Sequence, residues 1–216
     1  MYEELMKQYN NLSDEEKNAL LVYKTRLGLL INDLDNEPDF EGYYDRYKRI
    51  SSSPQNILVQ ALIFKSIDFS TLESFKESIL RIRDILKEAT SKIVVPEDMH
   101  VYRSISSDND IEGISKSDFI STSLSFAETC KYAVQGKNIR MYDITIPAGS
   151  RVGISPYRVL DDQKNDRLII TQSSDQEEVI IDSSNYDFET LKDYNNGDLL
   201  LFEVYARESN KKQVRN

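Results

Sequence analysis

Three short stretches of this chain place polar side chains where a strand's inward face is ordinarily apolar. In Val101-Tyr102-Arg103-Ser104-Ile105, Arg103 alternates with Val101 and Ile105 and so shares their face. A cation in that position is costly unless an anion meets it. In Phe119-Ile120-Ser121-Thr122-Ser123-Leu124, Ser121 and Ser123 share a face with Phe119, while Thr122 lies with Ile120 and Leu124. In Gln176-Glu177-Glu178-Val179-Ile180-Ile181, Gln176 and Glu178 share a face with Ile180, and Glu177 points the other way. Each stretch alone has a bland reading: an arginine paired at a strand end, a common hydroxyl triplet, a solvated acidic face. Their order and shared strand context carry more, because an arginine, hydroxyls and a carboxylate on separate strands can converge in one cleft.

The elements that must position these groups follow from hydrophobic period. The first ninety residues read as helical. Ser13 with Glu16 forms a capping box ahead of Leu20, Tyr23, Leu27, Leu30, Ile31 and Leu34 at helical spacing, and Asn36-Glu37-Pro38-Asp39 ends that helix. A short helix is expected from Glu41 to Ile50. Ser53-Pro54 opens another through Ile57, Leu58, Ala61 and Leu62. Ser70 with Glu73 caps a helix whose stripe is Phe75, Ile79, Ile82 and Leu86. After Pro96 the period changes to alternation, which predicts strands near 99–106, 118–124, 138–147, 150–154, 166–172, 176–182 and 198–206, with one short helix at about 125–134. Turn chemistry separates them at 107–110, 135–138, 147–149 and 195–198. Helices first and strands afterwards, without regular alternation, indicate an α+β class. We expect a single domain over residues 1–216, with a helical lobe at 1–92 and a β-rich core at 93–216.

Composition removes several kinds of chemistry. Asp and Glu outnumber Lys and Arg 37 to 27, a formal charge of -10, which argues against a surface built to hold a nucleic-acid backbone. Cys130 is the only cysteine, so no intramolecular disulfide forms, and it reads as a small buried apolar residue. His100 is the only histidine. Zinc sites of the Cys/His type and Ser-His or Cys-His catalysis are therefore poor readings, and no metal is expected. Residues 1–8 lack both a basic and an apolar region, and no apolar run reaches the roughly 20 residues needed to span a bilayer. The expectation is a soluble protein without a signal peptide, acting in a cytosol, its own or that of a target cell after delivery as an effector.

The three motifs in order resemble those of the bacterial ADP-ribosyltransferase exoenzymes. That family's signature is an arginine on the first core strand, a Ser-Thr-Ser strand and a Glu/Gln-x-Glu pair, met here by Arg103, Ser121-Thr122-Ser123 and Gln176-Glu177-Glu178. Leu12-Ser13-Asp14-Glu15-Glu16-Lys17 and Ile146-Pro147-Ala148-Gly149 agree as well, so the resemblance spans most of the chain. It implies a helical N-terminal lobe packed on two antiparallel or mixed β-sheets that form an NAD cleft. It also implies a mono-ADP-ribosyltransferase, with NAD as substrate and NAD hydrolysis as a side reaction, typical of a toxin or effector.

Carried over residue by residue, the resemblance gives Arg103 the NAD pyrophosphate, which suits a bidentate guanidinium. Ser121 would hold the nicotinamide ribose and orient Glu178, and Thr122 and Ser123 would steady that strand. Glu178, immediately before the apolar Val179-Ile180-Ile181, would be the catalytic carboxylate that stabilises oxocarbenium-like charge as neutral nicotinamide departs. Gln176 would orient the acceptor. Glutamate at that position goes with arginine acceptors, whereas glutamine is similar to the Rho-modifying clostridial exoenzymes, so a non-arginine protein side chain is expected. The segment at about 161–175 would contact the acceptor, yet it lacks the aromatic residue just upstream of the glutamine that goes with Rho recognition. Tyr132 has two readings, a nicotinamide-stacking residue or a core residue of the short helix. Lys137, Arg140 and Arg151 stay equally open. Two rival functions remain: ADP-ribosylation of nucleic acid, and a non-catalytic module that binds NAD or a partner.

Overall fold

The computed structural model describes residues 1–36, 38–105, 118–133, 139–162, 165–172, 178–196 and 199–209. Contacts divide the chain into two compact units. One comprises residues 1–10, 90–154 and 174–216, and the other residues 11–89 and 155–173. The α+β class holds, with helices, one large mixed sheet and one small sheet. The first helix, α1 (Tyr2–Asn10), groups with the β-rich unit, and a hairpin from the second half groups with the helices. Among the described residues no helix is long and apolar enough to cross a membrane.

The helical unit holds α2 (Asp14–Tyr23), α3 (Leu27–Asn32), α4 (Phe40–Ser52), α5 (Ile57–Leu62) and most of α6 (Leu72–Thr90). Ser13 caps α2 with the full capping box expected from Glu16: the Ser13 hydroxyl accepts from Glu16 N, and the Glu16 carboxylate accepts from Ser13 N at 2.8 Å. The single helix expected from there to Leu34 is broken. Thr25 Oγ1 donates to Val22 O at 2.7 Å and accepts from Leu27 N at 3.1 Å, so its side chain competes with the helical ladder. At Gly28 a Cβ would lie 2.1 Å from the Tyr23 carbonyl, a close approach that only glycine permits. The cap of α6 also differs from expectation. Thr71, not Ser70, accepts from Ser74 N, at 3.0 Å, while Ser70 N is held by Asp68. Tyr47, Phe64, Phe69 and Phe75 pack ring on ring in the core of this unit.

The strands of the β-rich unit are β1 (Ile93–Val94), β2 (Met99–Ile105), β3 (Phe119–Ser123), β4 (Ile139–Ile146), β5 (Arg151–Ser155), β8 (Glu178–Asp182), β9 (Tyr186–Asn196) and β10 (Leu199–Glu208). They form one eight-stranded sheet in the order β1-β5-β8-β3-β2-β4-β10-β9. β4 and β10 pair in parallel, whereas β2 pairs antiparallel with β4, and β3 with β8. Val101, Phe119, Ile120, Tyr142, Ile144, Val179 and Ile181 are fully buried, so the strands that carry the polar motifs are anchored by their apolar neighbours. The expected turn at Pro147-Ala148-Gly149 is present, with Gly149 at φ 86°. β6 (Tyr157–Asp162) and β7 (Arg167–Gln172) form a separate two-stranded hairpin within the helical unit. β1, β6 and β9 were not anticipated. The expected short helix is α7 (Phe126–Ala133).

Candidate active site

Strand register brings the motif residues together. Ser123 lies opposite Tyr102 of β2 on one side and opposite Glu178 of β8 on the other. Side chains directly opposite across a sheet project from the same face, so these three form one row. Ser121, two residues back along β3, is on that face too, and its hydroxyl donates to Glu178 Oε1. The carboxylate is thereby fixed by a neutral partner on the neighbouring strand.

Among the described residues β2 and β3 pair at one register position. Beyond it Arg103 links them through its side chain, with Nη1 donating to the Ser121 carbonyl at 2.8 Å. Arg103 and Ser121 are thus tied to each other, and Ser121 to Glu178, around a single residue of β3. Thr122 is buried, and its hydroxyl donates to Val179 O at 2.8 Å. Ser123 Oγ accepts from Ser125 N at 3.0 Å, at the start of the turn into α7. Both hydroxyls therefore hold backbone, Thr122 toward β8 and Ser123 toward α7.

A pocket of about 320 Å³ opens at this junction. Arg103, Ser121, Thr122, Ser123 and Glu178 line it, all of them singled out from the sequence. Tyr102, Ser104, Glu128 and Thr129 line it as well and were not singled out. The last two come from α7, which starts where Ser125 Oγ accepts from Glu128 N at 3.2 Å. The Phe126 ring meets Tyr102 edge-on at 5.3 Å, seating α7 beside β2. The signal for this helix was present in sequence: Ser125-x-x-Glu128 has the spacing of a capping box directly after Ser-Thr-Ser. Burial, and secondarily the Asp143 carboxylate, push the Tyr102 hydroxyl above the ordinary tyrosine range, so it stays protonated at neutral pH. The lining offers one guanidinium able to meet an anionic group, together with two carboxylates and several hydroxyls able to meet the hydroxyls of a sugar.

The other sequence candidates fall elsewhere. Gln176, Glu177 and Lys137 lie outside the described residues, as does the side chain of Tyr132. Arg140 lies on β4 opposite Ile105 and does not line the pocket. Arg151 donates to the Ser91 carbonyl, a structural contact. His100 is on β2, within the strand expected near 99–106, where its Nδ1 lies 2.8 Å from Asp143 Oδ1. Cys130, expected to be buried, is only half-buried.

No family model and no curated protein sequence matches this chain. Solved structures do. The C3 exoenzyme of Clostridium limosum is 14% identical, with a TM-score of 0.55 over 95% of this chain and 91% of that one. An ADP-ribosyltransferase of Clostridium botulinum is 16% identical, with a TM-score of 0.52 over 94% and 90%. An ADP-ribosyltransferase toxin of Paenibacillus larvae is 14% identical, with a TM-score of 0.53 over 95% and 92%. The chain has the fold of the bacterial ADP-ribosyltransferase toxins.

Proposed function

We propose that this protein is an NAD-dependent mono-ADP-ribosyltransferase, the whole of residues 1–216 acting as one transferase domain. The observation that carries the reading is the Ser121–Glu178 hydrogen bond in a pocket shared with Arg103. Fold alone would not suffice, since one fold hosts many chemistries. Arg103 binds the pyrophosphate of NAD. Ser121 holds the nicotinamide ribose and keeps Glu178 aimed at it, while Thr122 and Ser123 hold the strand in place. As the C1′–N bond breaks, its electron pair leaves with nicotinamide, which departs neutral. Glu178 stabilises the positive charge left on the sugar. Tyr132 is a candidate to stack on the nicotinamide ring. No step in this scheme calls for a metal.

The acceptor is a protein side chain other than arginine, in line with Gln176, and water takes its place in a slower NAD glycohydrolase reaction. Such an enzyme suits a toxin or effector that works in a cytosol. The direct test is nicotinamide release from NAD by the pure protein, followed by mass-spectrometric mapping of ADP-ribose on lysate proteins. Labelled RNA or DNA in place of protein would transfer the assignment to a nucleic-acid acceptor. An absence of nicotinamide release with and without lysate would reduce the chain to a binding module.

A further inference from the structure

The pocket holds a second carboxylate that the scheme above leaves unused. Glu128 sits in the first turn of α7, its side chain only 13% exposed, with Lys131 as ion-pair partner one turn on. An acidic residue at a helix start is ordinary, but this one lines the same cavity as Arg103, Ser121 and Glu178. The chemistry of that cavity has a gap at the same place. A neutral N–H or O–H acceptor must give up a proton as it bonds to C1′, and the scheme above names no group to take it. Glu178 is engaged by Ser121 and by the developing charge, Arg103 is a cation, and the amide of Gln176 is not a base. The Thr122 hydroxyl is committed to Val179 O. Among the described residues that line the pocket, Glu128 is the remaining group able to accept a proton.

We propose that Glu128 is the general base of the transfer step, an inference that rests on the function proposed above. The C1′–N bond of NAD breaks with its electron pair going to nicotinamide. A lone pair of the acceptor forms the new bond to C1′, and the acceptor's proton passes to the Glu128 carboxylate, which returns it to water. Two carboxylates then divide the work, as in glycoside cleavage, one stabilising the sugar cation and the other activating the nucleophile. Lys131 holds the Glu128 side chain in place from the next turn.

The test needs no knowledge of the natural acceptor. Azide attacks C1′ without losing a proton, whereas water must lose one. The pure protein is incubated with NAD and a fixed concentration of sodium azide, and the ratio of ADP-ribosyl azide to ADP-ribose is measured. In Glu128→Gln that ratio should rise on the order of 10²-fold over wild type, because only the water reaction loses its base. Glu128→Ala should behave alike, and Lys131→Ala should change the ratio far less. A wild-type ratio in both Glu128 variants, with nicotinamide still released, overturns the role of Glu128 and leaves the proposed function standing. A wild-type protein that releases no nicotinamide overturns that function itself.

Discussion

The ion pairs of the helical unit contrast with the contacts of two pocket residues in the β-rich unit, Arg103 and Glu178. In the helical unit charged side chains meet one another. Asp166 is bracketed by Arg46 at 3.6 Å and Arg49 at 3.2 Å, Asp35 takes Arg83 at 3.2 Å, and Glu15 takes Arg81 at 2.6 Å. In the β-rich unit two pocket charges also meet neutral groups, a backbone carbonyl for Arg103 and a hydroxyl for Glu178, while Glu128 is paired with Lys131. Opposite charges in contact hold elements together and largely cancel each other's field. A neutral contact orients a charge and leaves its field in place for a ligand. An arginine in this sequence is therefore informative only together with what holds it.

The contrast is tested most severely at Glu178. Glu178→Ala should lower nicotinamide release by about 10²–10³-fold, the usual cost of losing one preorganised electrostatic group. Glu177→Ala should keep most of the release if, as the sequence alternation predicts, it belongs to the face opposite Glu178. A reversed pattern between the two glutamates would break the strand register on which the site is built. Arg103→Ala comes next. Loss of a charged contact whose partner is buried costs about 2–5 kcal/mol, to be read as weaker NAD binding by calorimetry in a protein that still melts cooperatively. Unchanged NAD affinity would place Arg103 with the structural arginines of the helical unit. Gln176→Ala should reduce transfer to the acceptor more than nicotinamide release, on the order of 10²-fold at most, since transfer alone needs the acceptor held within attack distance. Adducts mapped to arginine in the wild-type reaction would sink the argument from Gln176 and leave Arg103, Ser121 and Glu178 as they are.

How far the sequence could be read depended on whether a segment has a buried face. β2, β3, β4, β5, β7, β8 and β10 bury one face or both, and their alternation located them to within about two residues. β9 buries little: Asp187 and residues 189–195 are exposed, including Leu191 and Tyr194, so no inside–outside pattern exists to be read. It is held by its pairing with β10 along the whole strand, which is invisible in composition. β6, none of whose described side chains is buried and which among the described residues pairs with β7, escaped for the same reason. The break between α2 and α3 was missed because the apolar spacing runs through it, while the signals that matter, Thr25 and Gly28, are matters of local sterics. Within the pocket, the strand residues Arg103, Ser121 and Glu178 announced themselves as polar groups in apolar strands. Glu128 and Thr129 did not, since polar residues are ordinary on a short helix and only the docking of Phe126 on Tyr102 brings them to the cavity.

The smallest expected effect lies in the helical unit and completes the contrast. Asp166 has φ 46°, a left-handed backbone conformation that asparagine and aspartate tolerate better than most residues. Its carbonyl also accepts from Asn56 Nδ2 at 3.4 Å, so backbone and side chain both tie the β6–β7 hairpin to helical elements of the same unit. Asp166→Asn keeps the conformational tolerance and the side-chain shape, removes the charge shared by Arg46 and Arg49, and turns one of the two acceptor oxygens into a donor. Asp166 and Arg49 are substantially solvent-exposed, whereas the Arg46 side chain is 17% exposed. Solvent screening therefore limits the loss to about 1 kcal/mol, a fall in Tm of roughly 2–4 °C. In 1 M salt, where the Debye length shrinks to about 3 Å, the difference between variant and wild type should narrow. Nicotinamide release at a temperature where both proteins are folded should be the same for the two. A substantial loss of release without a change in melting would mean that Asp166 serves the chemistry, and that charges paired within the helical unit are not confined to holding the fold.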